Sequence, residues 1–304
     1  MKEILHLDSA NDYALDVGGK VLHPKVSVIH FDELGPIRHS LNRLGVYAIF
    51  VQDNFPEGLA YGMGGYDITK GSLTAVSPGQ IIGKADNGHR EIYHGWVLFF
   101  DPDFMHGSAF EKNLPDYHFF SYNVNEALAV TKEEKARVWQ LMEQIREDLS
   151  GEGRTALNDK VVQDYIILIC DYCRLFYERQ FRESKAQRND LLSRFQSILN
   201  DYYAKGLQNS NGLPNVKYCA SELCLSPGYF GDLIRGLMGE SPNSVIQHFI
   251  LDRAKSLLVS GRNITQVSDE LGFEYPQHFT RFFKKQIGML PSKYLSSLNN
   301  PQIG

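Results

Sequence analysis

Gln277, Arg281 and Lys284 recur at intervals of four and three residues, with Lys285 adjoining, so a helix would project them from one face. The chemistry of that set is recognition. A glutamine amide pairs in bidentate fashion with an adenine edge, an arginine guanidinium pairs with a guanine edge, and lysine ammonium groups neutralise phosphate. Tyr275, His278 and Thr280 flank them as secondary polar groups. Alone, such a face is also what any solvated basic helix presents. Here no acidic residue follows Glu274, while Arg281, Lys284, Lys285 and Lys293 do.

Other constellations carry less. The chain has ten histidines but no His-x-His pair of the kind that holds a metal in many β-barrel enzymes. His89 and His94 are five apart, an odd spacing that places them on opposite faces of a strand. Cys170-Asp-Tyr-Cys173 has C-x-x-C spacing, but it lies in a helical pattern without a second pair to complete a zinc site, and core thiols are the expected role. A redox sensor is the alternative. Neither a Gly-x-Ser-x-Gly elbow nor a phosphate-binding loop is present. The expectation is therefore no catalytic residue, no metal and no cofactor.

What must position the basic face is an internal repeat. Ser226-Pro-Gly-Tyr-Phe230 and Tyr275-Pro-Gln-His-Phe279 share x-Pro-x-x-Phe at an offset of 49. Ile234, Gly239 and Pro242 match Phe283, Gly288 and Pro291 at the same offset. Val216, Cys219 and Leu223 match Ile264, Val267 and Leu271 at 48, the difference falling in a turn. In the second copy Asn263 and Gln266 form a capping box, and Val267 and Leu271 continue an apolar stripe. Gly272 then permits a left-handed stop, and Pro276 suits the first position of the next helix. The unit is helix, short turn, helix, and it occurs twice.

Ile264-Thr-Gln-Val-Ser-Asp-Glu-Leu-Gly-Phe273, Phe279-Thr-Arg-Phe-Phe-Lys284 and Gly288-Met-Leu-Pro291-Ser-Lys-Tyr294 resemble the C-terminal signature of the AraC-type bacterial transcription regulators. The resemblance covers about residues 190–298. It implies two helix-turn-helix units joined by a long helix, about residues 243–258, with the two recognition helices entering successive major-groove segments. It places Gln277 and Arg281 at base-reading positions and Lys284 and Lys285 at backbone positions. The first copy departs from this, with Gly228, Gly231 and Asp232 at the corresponding places. Asp232 would repel phosphate unless it accepts from cytosine or bonds within the protein, and Ser226, Tyr229 and Arg235 are the remaining candidates. Ser268 and Leu295 are further departures, where Ala and Arg are usual in the family.

The rest of the chain reads as an α+β, two-domain protein. At about 150 residues per domain, 304 residues suggest two. Short apolar runs at Lys25–Phe31, Leu44–Gln52, Ser72–Val76 and Gly95–Phe100, with Gly/Pro/Asn turns between them, predict an antiparallel β region. By the resemblance this region is a cupin-like sensing and dimerisation domain. Its trailing helices are predicted at residues 131–149, opened by a Thr131–Glu134 capping box, and 158–182. The second helix is apolar on more than one stripe, which calls for two surfaces to pack on: its own domain, and either a partner chain or the rest of the monomer. The expected boundaries are residues 1–182, a linker at 183–190, and a DNA-binding domain at 191–304.

Among the aromatic residues Tyr47, Phe50, Tyr61, Tyr66 and Trp96, most are expected to fill the core, with Tyr47 and Trp96 the candidates to line an effector pocket. The expected partners are double-stranded operator DNA, a second copy of the chain, a small-molecule effector and, for an activator, RNA polymerase. A regulator without small-molecule sensing, and a cupin-type metalloenzyme fused to a DNA-binding domain, are the alternatives. With no apolar run long enough for a membrane and no export signal, the protein is expected to be cytoplasmic. The net charge of −5 divides unevenly: residues 1–188 hold 20 basic and 27 acidic residues, and residues 189–304 hold 11 and 9. A C-terminal excess of only +2 predicts weak binding to nonspecific DNA.

Overall fold

The computed structural model describes residues 4–53, 71–83, 85–86, 88–123, 126–151, 153, 155–183 and 185–299. The expected turns at Asn54–Gly58 and Gly62–Gly65, with Tyr61 and Tyr66, lie outside them. The chain divides into two compact units, Met1–Ser184 and Lys185–Gly304.

The first unit begins with strand β1 (Ile4–Leu7), helix α1 (Asp12–Val17), β2 (Val26–His30), β3 (Ile37–Arg38), β4 (Leu41–Leu44) and β5 (Tyr47–Gln52). There follow β6 (Ser72–Val76), β7 (Ile81–Gly83), β8 (Arg90–Glu91), β9 (Gly95–Phe100), α2 (Ala109–Asn113) and β10 (Leu128–Ala129). Five strands form an antiparallel sheet in the order β10-β6-β5-β9-β2. β6 and β9 are buried along their whole length, because both faces of the sheet are covered. Ile29, Ala48, Val76, Val97 and Phe99 pack into a core with Leu7, Ala10, Ala14 and Leu44. Helix α3 (Lys132–Ser150) lies across β2, β5 and β9, burying Val138, Met142 and Ile145. Helix α4 (Ala156–Glu183) packs on α3 and β10. The Thr131–Glu134 capping box opens α3 as its sequence predicts. Gly95, with φ 114, is fixed by its neighbours, since a Cβ there would lie 2.2 Å from the Val51 carbonyl oxygen.

Two features of this unit are not in the sequence pattern. β1 pairs in parallel with β4, and β4 pairs with β7, in a separate three-stranded sheet. These strands are three or four residues long, too short to display a period. The stretch 183–190, which its polar composition marks as a linker, is helical at every described residue: α4 ends at Glu183 and α5 (Lys185–Ala204) starts at Lys185. Glu, Lys, Ala, Gln and Arg are strong helix formers and hold a helix without an apolar stripe.

The second unit continues with α6 (Gln208–Asn211), α7 (Val216–Glu222), α8 (Pro227–Met238) and α9 (Pro242–Val259). α10 (Ile264–Leu271), α11 (Pro276–Ile287) and α12 (Pro291–Asn299) complete it. The repeat is now physical. α8 and α11 each have 12 residues, each begins with proline, and each ends on a left-handed glycine, Gly239 or Gly288. α7–α8 and α10–α11 are the two helix-turn-helix units, and α9 connects them.

Both turns have the same hydrogen bonds. Leu225 N–H donates to the Ala220 carbonyl and Phe273 N–H to the Ser268 carbonyl, closing a Schellman motif in each. The left-handed position is Gly272 in the second turn and Cys224, φ 57, in the first. A Cβ in that conformation costs about 1–2 kcal/mol. Cys224→Gly is therefore expected to stabilise the protein by about 1 kcal/mol, after the glycine's own chain entropy is subtracted. A helical-signal thermal midpoint that stays put or falls would refute this.

Candidate nucleic-acid interface

α11 separates its side chains cleanly. Phe279 and Phe283 are fully buried, and Phe273 packs on Phe279 from the turn. Gln277, His278, Arg281, Lys284 and Lys285 are all exposed on the other side. The core pair thus fixes the rotation of the helix, and the rotation presents the polar set. Lys284 and Lys285 occupy the last turn, where cations also favour the negative end of the helix dipole.

Pairing distinguishes these cations from others in the same unit. Lys205 faces Asp201, Arg235 faces Asp232, Lys255 faces Asp252 and Arg262 faces Glu270. Among the described residues no carboxylate pairs with Arg281, Lys284 or Lys285. The surface is a concentrated, uncompensated positive patch with a glutamine at its N-terminal end. Tyr275 is 53% exposed and stands edge-on to the His278 ring, extending the patch beyond the start of α11. Thr280 contributes less than its position implies, because its hydroxyl donates back to the Pro276 carbonyl at 3.0 Å.

The first unit differs. Tyr229 is only 4% exposed, so it packs in the core and is removed from the surface candidates. Ser226 is also buried and caps α8 by accepting from the Tyr229 N–H. Asp232 and Arg235 pair with each other at 2.6 Å, so the acid is satisfied within the protein. Their i, i+3 spacing was the signal for it. Gly231 faces open space. α8 thus presents a low, nearly neutral surface, with Arg235 as its exposed cation. Arg235→Ala is expected to weaken specific and random DNA binding alike and to reduce the salt slope by about one, through loss of one backbone cation and release of Asp232. Unchanged binding would place α8 off the DNA.

Tyr47 and Trp96 do not converge. Tyr47 stacks on Phe100 at 5.2 Å and meets Phe110 and Phe120 edge-on. Trp96 stacks under His30 at 4.3 Å with the Arg146 guanidinium 4.9 Å from its ring. The register pairs Tyr47 with Phe100 and Val51 with Trp96, four residues along the strand. That separation is about 13 Å, so each ring belongs to its own cluster. Sequence composition supplies aromatic residues but not their grouping.

His94 is bonded to Asp32, which also faces His30. Among the described residues no group of three or more His, Cys, Asp or Glu side chains is placed to hold a metal. Cys170 and Cys173 are buried, and burial pushes both thiols up. No described helix is long and apolar enough to cross a membrane.

Residues 219–297 match a helix-turn-helix domain family. They are an AraC-type domain. The chain is similar to the uncharacterized HTH-type transcriptional regulator YobQ of Bacillus subtilis, at 36% identity over 73 residues, which is 24% of this chain and 30% of the relative. It is also similar to the HTH-type transcriptional regulator AlkR of Acinetobacter baylyi, at 25% identity over 118 residues, 37% of this chain and 39% of the relative. The chain thus spans well under half the length of these relatives. A solved structure of ToxT from Vibrio cholerae, with an unsaturated fatty acid bound, aligns with 89% of this chain and 93% of that chain at 16% identity and a TM-score of 0.29. Within the AraC-type domain, the contrast between α11 and α8 belongs to this chain's own side chains.

Proposed function

We propose that this chain is a sequence-specific, DNA-binding transcription regulator in which α11 reads bases and α8 contributes backbone and shape contacts. The observation that carries it is the α11 face: Gln277, Arg281, Lys284 and Lys285, exposed and, among the described residues, paired with no carboxylate, on a helix rotated into place by Phe279 and Phe283. Gln277 and Arg281 stand one turn apart, the spacing needed to meet neighbouring base pairs. Lys284 and Lys285 follow toward the phosphates. The N-terminal unit supplies assembly or effector sensing. The regulator works as a pair of chains, contacts RNA polymerase if it activates, and acts in the cytoplasm. In this reading it is a binding protein and no catalytic step is assigned to it.

Selection of genomic fragments by the purified full-length chain tests the proposal. A shared motif should be enriched by the natural protein and lost with Arg281→Ala. Fragments without a common motif would overturn it. The packing of Tyr47 and Trp96 into separate clusters favours a second reading, regulation without a small-molecule effector bound at those residues. Thermal melting against sugars, sterols and metabolites separates the two: a shift with any compound supports sensing, and none supports the second reading.

A further inference from the structure

α5 and α9 turn apolar stripes toward one another without closing on them. Leu192, Phe195 and Leu199 follow at three and four residues on α5, and Val245 and Phe249 at four on α9. α5 is anchored on α7, and α9 on α8 and α10, which keeps the two stripes apart. Met238, from the last turn of α8, joins the lining. The result is a groove of about 530 Å³ within the second unit. Clefts of that size hold small organic molecules. Phe195 and Leu199 are buried, and the other four apolar residues stay half-buried because the groove leaves them uncovered.

The charged groups of the lining are not alike. His248 faces Glu240 at 3.4 Å, and Asp252 faces Lys255 at 3.1 Å. Arg253 has no such partner: among the described residues no carboxylate pairs with it. Its Nε–H is enclosed without an acceptor, and its guanidinium carbon lies 4.5 Å from the centre of the Tyr203 ring. A ring face offsets only part of what it costs to half-bury a charge. The ring itself is fixed. Its hydroxyl donates to the Leu271 carbonyl at 3.1 Å, and it stacks with Phe249, which also lines the groove. A guanidinium seated on a fixed ring is already in place for a ligand, and its planar fork matches a carboxylate in bidentate fashion.

We propose that this groove binds a small aryl carboxylate, its carboxylate on Arg253 and its ring body between α5 and α9. Charge selects an anion, since Arg253 is the unpaired charged side chain of the lining. Phe195 and Phe249 suit an aromatic body. A phosphate ester fits poorly, because a single unpaired cation beside apolar walls leaves a second negative charge unmatched. The site lies wholly in the second unit and its ligand is measured without DNA, so it stands or falls apart from the base-reading proposal.

Isothermal titration calorimetry of the full-length chain with 4-biphenylcarboxylate tests the site. The carboxylate should bind saturably, one per chain, and roughly tenfold or more tighter than its neutral analogue 4-biphenylmethanol. Arg253→Met, which keeps an apolar stem over Tyr203, should erase that preference with unaltered far-UV circular dichroism. Leu192→Trp, which fills the groove from its half-buried wall, should weaken both ligands, and it keeps the test open should Arg253→Met fail to fold. No saturable binding of the carboxylate up to about 1 mM would overturn the site. So would equal binding of acid and alcohol. An unchanged preference in Arg253→Met, or unchanged binding in Leu192→Trp, would place the ligand elsewhere in the chain and overturn it as well.

Discussion

Arg281→Ala is expected to lower affinity for the best operator by about 1–3 kcal/mol, roughly 5- to 150-fold, and to relax preference at one base position. Binding to random DNA should change little by comparison. The expectation rests on three features of the residue. Arg281 is exposed, pairs with no described carboxylate, and sits on the helix face opposite the buried Phe279 and Phe283. Its guanidinium is therefore free to bind bidentately, and removing it loses the contact without disturbing the core. Lys284→Ala and Lys285→Ala provide the contrast. They should weaken all sequences alike and each reduce the salt slope by about one. Fluorescence anisotropy at fixed salt, with the operator, its single-base variants and a scrambled duplex, separates the cases. Equal losses for Arg281→Ala on operator and scrambled DNA would assign it to the backbone and leave base reading to Gln277.

The recognition helix was legible in the sequence because each local signal agreed with the next. The Asn263–Gln266 capping box, the glycine stop at Gly272, the proline start at Pro276 and the Phe279/Phe283 pair each follow the last within ten residues, and the structure has each of them. The first copy was legible as a fold but not as a surface. Tyr229 reads as a candidate from its phenol, and burial removes it; Asp232 reads as a hazard to phosphate, and Arg235 neutralises it. Burial and pairing are tertiary facts. The same limit explains the N-terminal unit. β5, β6 and β9 were evident from apolar runs, whereas the parallel β1–β4 pair joins strands more than thirty residues apart with no period to betray it. α4 lies between these cases. Its broad apolarity called for two surfaces to pack on, and exposure alone separated the buried face from the exposed Val161, Leu168 and Leu175.

Gly272→Ala should be the most damaging single-methyl change in the second helix-turn-helix unit. Gly272 sits at φ 88, where an L-residue costs about 1–2 kcal/mol. Space is a second obstacle. An added Cβ would lie 2.9 Å from the Gly212 carbonyl oxygen and 2.9 Å from the Gln208 side chain. Neither contact can swing away: the Gln208 atom is its Cβ, held by the backbone, and Gly212 is backbone whose carbonyl also accepts a hydrogen bond from Tyr202. Relieving the contact means moving the end of α6 or the α10–α11 turn, at about 1–3 kcal/mol for an overpacked site. The total is about 2–5 kcal/mol, a large part of the roughly 5–15 kcal/mol that holds a domain together. The matching position in the first turn makes the comparison internal. Cys224 already bears the left-handed strain, so Cys224→Gly and Gly272→Ala should move stability in opposite directions through the same Schellman geometry. Both tryptophans, Trp96 and Trp139, belong to the N-terminal unit, so indole fluorescence does not report this unfolding. Far-UV circular dichroism or amide exchange in α10 and α11 does. DNA binding should weaken with it, since the turn sets the angle at which α11 carries Arg281. A neutral Gly272→Ala would mean that α6 yields freely, and that the rigidity of the recognition helix comes from Phe279 and Phe283 alone.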